Sequence, residues 1–382
     1  MKRYLTPFIL HDLRKKMVFL GGPRQVGKTT LCLGLETAYP GAVYLNWDVD
    51  ENKSIIRHKE WRADAPLVIL DELHKYARWK QWIKGVYDSR KAHQQYVVTG
   101  SARLDVYKRG GDSLLGRYHS WRLHPFTLDE LPTGMQKQDA YHRLLTVGGF
   151  PEPFLENNIR EARRWRAERF ARIVREDVRE LERIQELSLL DLLIEALRER
   201  VGGLIVYASL AEDLSLSPHT IKKWTALIER MYIAFLITPY TKNIFRSVLK
   251  APKIYFYDNA DCIEDSGIRL ENLVATHLLK RLHFIEEYFG YRCSLHYVRD
   301  RDGREVDFVM VIDKKVIELI EVKLSKSNPS SALKYYREKL KPKKTVQIVG
   351  ELKTSFDDHG ILVTNPIDYF KNPPWETLQD PL

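Results

Sequence analysis

The sequence has little cysteine and no long apolar run, and each absence excludes a class of protein. Only Cys32, Cys262 and Cys293 occur among 382 residues, and no two of them have CxxC spacing. A zinc site built on paired cysteines and a disulfide framework are therefore excluded, and a reducing cytoplasm is favoured. No segment reaches the roughly 18 apolar residues of a membrane helix. Charges also interrupt the apolar stretches at the amino terminus, so we expect a cytoplasmic protein without a signal peptide or a membrane partner.

Apolar residues and positive charge are what the sequence does have. Hydrophobic residues make up 44% of the chain, which is enough for buried cores. At 382 residues, two or three domains are expected. The 61 Lys and Arg residues exceed the 51 Asp and Glu residues, for a net charge of +10. Such an excess suits a polyanion such as nucleic acid, although a solvated basic surface would give the same composition.

Three regions follow one another along the chain. In residues 1–134, short apolar runs such as "MVFL", "PLVIL" and "QYVVTG" alternate with helical patterns. This alternation predicts an α/β domain, with a parallel sheet and helices on its faces. Residues 251–382 return to strands such as "EVDFVMVI" and "VIELIEVKL", with a helix expected to begin near Glu271.

The middle region, residues 135–250, is helical by its periodicity. Its segment "YASLAEDLSLSPHTIKKWTALIERMYIAFLI" predicts a helix, a short turn and a second helix. Ser217 suits the cap and Pro218 the first turn of that second helix, which carries Lys222 and Lys223. The pattern is typical of a helix-turn-helix or winged helix, but many helical bundles that bind no DNA share it.

The segment "GGPRQVGKTTL" predicts a nucleotide site. Gly22, Gly27, Lys28 and Thr29 fit the G-x-x-x-x-G-K-[ST] pattern between an apolar strand and an amphipathic helix. The glycines let backbone N–H groups wrap phosphates, Lys28 should reach the β and γ phosphates of ATP, and Thr29 should ligate Mg²⁺. The residues expected to contact the nucleotide here are Gly22, Pro23, Arg24, Gln25, Val26, Gly27, Lys28, Thr29 and Thr30.

Polar residues that follow the next strands complete the predicted ATP site. "PLVILDELHK" ends in Asp71, expected to hold Mg²⁺, and Glu72, expected to polarise the attacking water. Thr99 and Ser101, at the end of "QYVVTGSA", could sense the γ phosphate or could be ordinary turn residues. Arg117 in "SLLGRYHSW" could stabilise transition-state charge in its own or a neighbouring subunit. It could equally form a surface salt bridge.

Across nearly the whole chain the sequence resembles the prokaryotic AAA-superfamily ATPases with an uncharacterised carboxyl-terminal domain. The resemblance is carried by "GGPRQVGKTTL", "LDELHK", "VVTGSA", "SLLGR", "HPFTLDEL" and "GGFPEPF", and it continues through "APKIYFYDNA" and "REVDFVM". It implies an AAA-type P-loop core, a winged-helix-like middle and a restriction-endonuclease-like end. Many AAA relatives form rings, so a homo-oligomer is expected by analogy.

A second predicted site combines carboxylates with a lysine. In the strand "VIELIEVKLS", Glu321 and Lys323 share one face. A hairpin centred on Lys314 would pair residues whose numbers sum to 628, which places Asp307 opposite Glu321, about 5 Å apart at Cβ. A magnesium ion would satisfy both carboxylates, and Glu271 could add a third ligand.

This Glu…Asp…Glu-x-Lys set is similar to the PD-(D/E)xK nuclease constellation, which hydrolyses phosphodiesters with bound metal. Glu321 could instead pair with Lys323 on an ordinary charged sheet face. The leading hypothesis is an ATPase that uses Mg²⁺ and couples its cycle to nucleic acid, with DNA the favoured partner. The alternatives are an ATP-controlled nuclease and a nucleotide-dependent scaffold that binds a protein partner.

Overall fold

Apolar runs that alternate with amphipathic segments form two sheets, each in its own unit of the chain. The computed structural model describes residues 3–100, 114–174, 187–241, 250–326 and 328–382. One unit comprises Met1–His124 with Arg230–Tyr232, and the other comprises Pro125–Glu229 with Ile233–Leu382. The finer division at residues 134 and 250 stays a prediction.

The first unit contains the predicted parallel sheet, in the strand order β2-β3-β4-β1-β5. Its strands are β1 (Met17–Gly21), β2 (Val43–Asn46), β3 (Leu67–Asp71), β4 (Gln95–Thr99) and β5 (Tyr118–Arg122). Both β1 and β3 are buried along their whole length, which explains why their sequences are continuous apolar runs. The predicted α/β class is confirmed for this unit.

Among the described residues of this unit, four α-helices accompany the sheet: α1 (Thr6–Leu13), α2 (Lys28–Gly34), α3 (Asp50–His58) and α4 (Trp79–Asp88). The core between strands and helices is rich in aromatic residues. Phe19 of β1 stacks on Tyr118 with ring centroids 4.3 Å apart and also contacts Trp79 of α4. These contacts fix α4 and the start of β5 against the strand that leads into the Lys28 loop.

The second unit begins with helices. They are α5 (Lys137–Thr146), α6 (Pro151–Glu156), α7 (Ile159–Arg172), α8 (Leu187–Arg198), α9 (Tyr207–Asp213) and α10 (Pro218–Arg230). As expected, α10 begins at Pro218, and the Ser217 hydroxyl accepts a hydrogen bond from the Thr220 backbone N–H at 3.0 Å. Lys222 and Lys223 are exposed on α10, whereas Trp224 is buried. The winged-helix assignment of this region stays a prediction.

An eight-stranded mixed sheet follows, in the order β12-β13-β11-β10-β9-β8-β6-β7. Its strands are β6 (Ala234–Pro239), β7 (Lys253–Phe256), β8 (Cys293–Arg299), β9 (Glu305–Ile312), β10 (Lys315–Lys323), β11 (Lys344–Val349), β12 (Phe356–Asp358) and β13 (Ile361–Thr364). Its helices are α11 (Ser266–Phe289), α12 (Ser331–Leu340), α13 (Pro366–Tyr369) and α14 (Pro374–Thr377). The hairpin of β6 and β7 therefore extends the sheet that β8 to β13 form.

Two local expectations in this unit are corrected. Helix α11 begins at Ser266, because Asp265 caps it by accepting from the Ile268 backbone N–H, so Glu271 lies in its second turn. The turn between β9 and β10 is formed by Asp313 and Lys314, both with positive φ, and the pairs beside it sum to 627. A bulge in β10 then shifts the register to the predicted 628.

Within the part of the chain that the structure describes, no helix combines the length and the apolar character that a bilayer crossing requires.

Candidate functional site

The loop between β1 and α2 has the backbone of a phosphate-binding loop. Gly22 has φ +135°, and a Cβ there would lie 2.4 Å from the backbone oxygen of Leu123. Gly27, with φ +95°, is the last residue before α2. The Lys28 ammonium donates to the carbonyl oxygens of Gly22 and Pro23 at 3.0 and 2.8 Å. The loop is thus curled around Lys28 at the positive end of a helix, where phosphate oxygens are favoured.

Arg3 supports this loop from outside the motif. Its guanidinium donates to the backbone oxygens of Val26 at 2.9 Å and His124 at 2.6 Å, and only 5% of the residue is exposed. It therefore ties the loop to the segment after β5. No sequence pattern indicates this role, because Arg3 lies 23 residues before Val26 in an ordinary basic segment.

Asp71, at the end of β3, is the centre of a hydrogen-bond network. Its Oδ2 accepts from the Thr29 hydroxyl at 2.7 Å and from the Tyr44 hydroxyl at 2.8 Å. Its Oδ1 accepts from the Thr99 hydroxyl and from the Glu72 backbone N–H. The strand order explains this convergence, because β4 lies between β1 and β3 and all run parallel. Thr29 and Asp71 offer the oxygen donors that Mg²⁺ prefers.

Glu72 follows Asp71 with a left-handed backbone, φ +53°. Its carboxylate lies 3.6 Å from His74 Nε2 and 3.9 Å from Lys75 Nζ. Burial raises the pKa of Glu72 to about 7, with Lys28 opposing the shift and Asp71 adding to it. The side chain is therefore a half-buried carboxylate beside the Asp71 network, with a raised affinity for a proton.

Arg117 is not brought to the Lys28 loop within its own unit. It immediately precedes β5, whose first residue pairs with Met17, whereas Gly21 pairs with Arg122 at the other end of the strand. The Arg117 guanidinium forms a two-point ion pair with Asp88, at 2.7 and 3.0 Å. A role towards a neighbouring subunit stays a prediction. Ser101 lies outside the described residues, and Thr30 is exposed on α2.

In the second unit, the register between β9 and β10 brings the predicted carboxylates together. The pairs run from Glu318 with Met310 to Ile320 with Phe308, so Asp307 and Glu321 are next in step. The Asp307 Oδ2 accepts from the Val322 backbone N–H at 2.8 Å. Lys323 lies 2.6 Å from Glu321 Oε1, which is the ion pair that the alternative hypothesis expects.

Glu271 of α11 also belongs to this cluster. Its Oε1 accepts from the Tyr255 hydroxyl at 2.7 Å and lies 3.7 Å from the Lys253 ammonium. Burial and then the charge of Asp307 raise the pKa of Glu271 to about 7. Sequence reasoning missed Lys253, Tyr255 and Glu305. They carried no motif of their own. Lys253 and Tyr255 reach the cluster because side chains of β7 contact α11 and β9, and Glu305 is the first residue of β9.

Glu321 has an unusual environment. Only 3% of the residue is exposed, and its Oε2 has no hydrogen-bond partner among the described residues. Burial and then the charge of Asp307 raise its pKa to about 7. An unpartnered buried carboxylate oxygen fits a cation, because such an atom is otherwise costly to bury. The described residues nevertheless contain no group of three or more His, Cys, Asp or Glu that could hold a metal ion.

Three family models match successive parts of the chain. An AAA domain matches residues 14–132. Two domains of unknown function follow, DUF8612 over residues 138–262 and DUF4143 over residues 266–367. Their boundary separates Lys253 and Tyr255 from Glu271, Asp307 and Glu321, so residues from both matched regions build the carboxylate cluster.

Two similar proteins are described as uncharacterized. An uncharacterized protein of Methanocaldococcus jannaschii is 25% identical over 92% of this chain and 84% of its own length. An uncharacterized protein of Mycobacterium tuberculosis is 23% identical over 64% of this chain, and the match spans only 55% of that protein. Among solved structures, the Walker-type ATPase PABY2304 of Pyrococcus abyssi aligns with a TM-score of 0.42 at 13% identity, over 67% of this chain and 93% of that one.

The match over residues 14–132 coincides with the curled Lys28 loop, the Asp71 network and the parallel sheet that positions them. An AAA domain model thus matches the part of the chain that carries the Lys28 loop, and the predicted α/β fold with a parallel sheet, as in a P-loop ATPase, is confirmed there.

Proposed function

We propose that this protein hydrolyses ATP with Mg²⁺ at the Lys28 loop and couples the cycle to nucleic acid through its second unit. The observation that carries the first part is the 2.7 Å hydrogen bond between the Thr29 hydroxyl and Asp71. It joins the two halves of a nucleotide site that the sequence separates by 42 residues. Bound Mg²⁺ would draw charge from the phosphates and polarise the γ-phosphoryl group.

Each residue of the site has a role in this proposal. The loop N–H groups and the amino terminus of α2 hold the phosphates, and Lys28 turns from its loop carbonyls to the β and γ oxygens. Thr29 and Asp71 would hold the metal ion. Glu72 orients the attacking water and accepts its proton, which its half-buried position and raised pKa support. Thr99 holds Asp71 in place through its hydroxyl.

Phosphate release by the full-length protein tests the hydrolysis. Lys28→Ala and Glu72→Gln are each expected to lower kcat by about 100-fold or more, because each removes a group that acts on the reacting phosphate or water. Exposed residues of the same types supply the controls, Lys91→Ala and Glu60→Gln, which should turn over as wild type. Equal turnover in all five proteins would remove the proposal.

The nucleic-acid part rests on charge and exposure. The chain carries a net charge of +10, and Lys222 and Lys223 are exposed beside each other on α10. Fluorescence anisotropy with labelled duplex DNA should give an affinity that falls steeply as salt rises. The double variant Lys222→Ala and Lys223→Ala should flatten the slope of log K against log salt by about 2, since each phosphate contact contributes about 0.9. A flat salt response, or no binding at low salt, would favour the scaffold alternative.

A second candidate function is ATP-controlled cleavage of nucleic acid. It is favoured by the convergence of Glu271, Asp307, Glu321 and Lys323 and by the unpartnered oxygen of Glu321. The element order α11-β8-β9-β10-α12-β11 also agrees with the nuclease-like fold that the sequence resemblance implies.

Cleavage assays with Mg²⁺ and with Mn²⁺ test this second candidate. Nicking of duplex, single-stranded or branched DNA should be lost in Asp307→Ala and Lys323→Ala, because one holds the cation and the other faces the scissile phosphate. The exposed Asp302→Ala variant is the matched control. No cleavage of any of these substrates with either metal ion would defeat it.

A further inference from the structure

Lys253 is a buried cation inside the carboxylate cluster. It begins β7, where it pairs with Ile237 of β6, and only 4% of its side chain is exposed. Its ammonium lies 2.6 Å from Glu305 Oε1, 3.7 Å from Glu271 Oε1 and 3.9 Å from Asp307 Oδ1. One ammonium thus faces three carboxylates from two different elements, α11 and β9.

The surroundings keep Lys253 charged and in place. Burial alone would lower the pKa of Lys253, but Glu271, Asp307 and Glu305 outweigh it, so the pKa lies above its ordinary value. Its ammonium also lies 5.6 Å from the centre of the Tyr297 ring, within the range of a cation–π contact. The Tyr255 hydroxyl holds Glu271 on the same side of the cluster.

The other side of the cluster is not neutralised in this way. Lys323 pairs with Glu321 Oε1, which leaves Oε2 buried without a hydrogen-bond partner among the described residues. The carboxylates Glu271, Glu305, Asp307 and Glu321 outnumber the cations beside them, even though Glu305 Oε2 also lies 3.3 Å from Arg299. The ionised cluster therefore keeps a net negative charge that a bound cation would offset.

From this arrangement we propose that the second unit binds a single divalent cation, between Asp307 and Glu321, and that Lys253 occupies the position of a second ion. The inference deepens the second candidate function, since it concerns the same cluster. It also accounts for the absence of a three-carboxylate metal group among the described residues, because Glu271 and Glu305 are directed at Lys253 and not at a common metal position.

Binding of Mn²⁺ to the nucleotide-free full-length protein tests the inference. An Asp71→Asn background removes the predicted metal ligand of the ATP site. The number of Mn²⁺ ions bound outside the ATP site is then measured by isothermal titration calorimetry and by the electron paramagnetic resonance signal of the free ion. We expect one ion with Lys253 present, none with Glu321→Gln, and two with Lys253→Met. Lys253→Arg, which keeps the charge, and Lys250→Met, which alters an exposed neighbour, should both bind one.

Thermal unfolding gives a second measurement on the same proteins. Lys253→Met leaves three half-buried carboxylates without this ammonium, so saturating Mn²⁺ should raise its Tm more than it raises that of the Lys253 protein. Two ions in the Lys253 protein, or none, would overturn the inference whether or not Lys253→Met folds. An unchanged count of one in folded Lys253→Met would also overturn it. Absence of nuclease activity with one bound ion would defeat only the second candidate function.

Discussion

The ion pair between Lys280 and Glu130 gives the most demanding test of the energetics. Lys280, on α11, is fully buried, and its ammonium lies 2.6 Å from Glu130 Oε2 and 2.7 Å from the Thr127 hydroxyl. Replacing Lys280 with Met leaves Glu130 as a buried charge without this cation. Breaking a buried pair in this way costs about 3–5 kcal/mol.

An exposed pair of the same chemistry provides the comparison. Lys53 lies 2.7 Å from Asp50, but the side chains are 31% and 89% exposed, so water screens their interaction. Lys53→Met should therefore cost less than about 1 kcal/mol. The double variant Lys280→Met and Glu130→Met should regain much of the loss of the single variant, because no charge is then left buried.

Thermal and urea unfolding of the four proteins measures these differences. At about 2 °C per kcal/mol for a unit of this size, Lys280→Met should unfold about 6–10 °C below wild type. Lys53 lies in the smaller first unit, so the Lys53→Met transition should move by less than about 4 °C. Equal losses in the two single variants would refute the assignment of the cost to burial. A double variant no more stable than Lys280→Met would refute the role of the uncompensated carboxylate.

Three further predictions concern single side chains. Burial lowers the pKa of His277 to about 4, so the stability that neutral His277 contributes is complete above pH 6.5 and is lost as pH falls towards 4. In urea titrations over this pH window, the free energy of unfolding should fall by about 3 kcal/mol more in wild type than in His277→Gln. An equal fall in the two proteins would disprove this. Tyr44→Phe removes a hydrogen bond to Asp71 worth about 1 kcal/mol, so the Mg²⁺ concentration for half-maximal ATPase activity should rise about five-fold with kcat little changed; an unchanged Mg²⁺ dependence would contradict it. Gly22→Ala would place a Cβ 2.4 Å from a backbone oxygen, so it should weaken the binding of a fluorescent ATP analogue more than ten-fold. Gly85→Ala, with open space around its Cβ, should bind the analogue as wild type does. Equal affinities of the two variants would refute the steric argument.

Much of the ATP site was predictable because its signals are local. The strand before Gly22, the helix after Lys28 and the acidic end of β3 each occupy a few consecutive residues, and parallel strands bring such ends to one edge. In the structure Thr29 and Thr99 both donate to Asp71, and Lys28 lies within its loop, while their roles towards a nucleotide stay predictions. Tyr44 could not be predicted from the sequence, because its hydroxyl reaches Asp71 only since β2 pairs with β3 in the sheet.

The carboxylate cluster also has one part that the sequence predicts and another that it does not. The hairpin of β9 and β10 is a local structure, so the sequence could bring Asp307 and Glu321 into step. The turn was expected to be centred on Lys314, but it is formed by Asp313 and Lys314, and the bulge that then restores the predicted register was not foreseen. Lys253 could not be found at all, because it reaches the cluster only through the pairing of β7 with β6 and the packing of α11.

The sequence by itself determined the P-loop, its acidic partner strand and the carboxylate hairpin, since each depends on the period of a strand or the dihedral needs of a glycine. Only the tertiary structure decided which cations meet which carboxylates. Arg117 pairs with Asp88 at the opposite end of β5 from the Lys28 loop, and Lys253 lies among Glu271, Glu305 and Asp307. The physical reason is that an ion pair depends on a distance of a few ångströms in space, and the order of strands in a sheet sets that distance independently of separation along the chain.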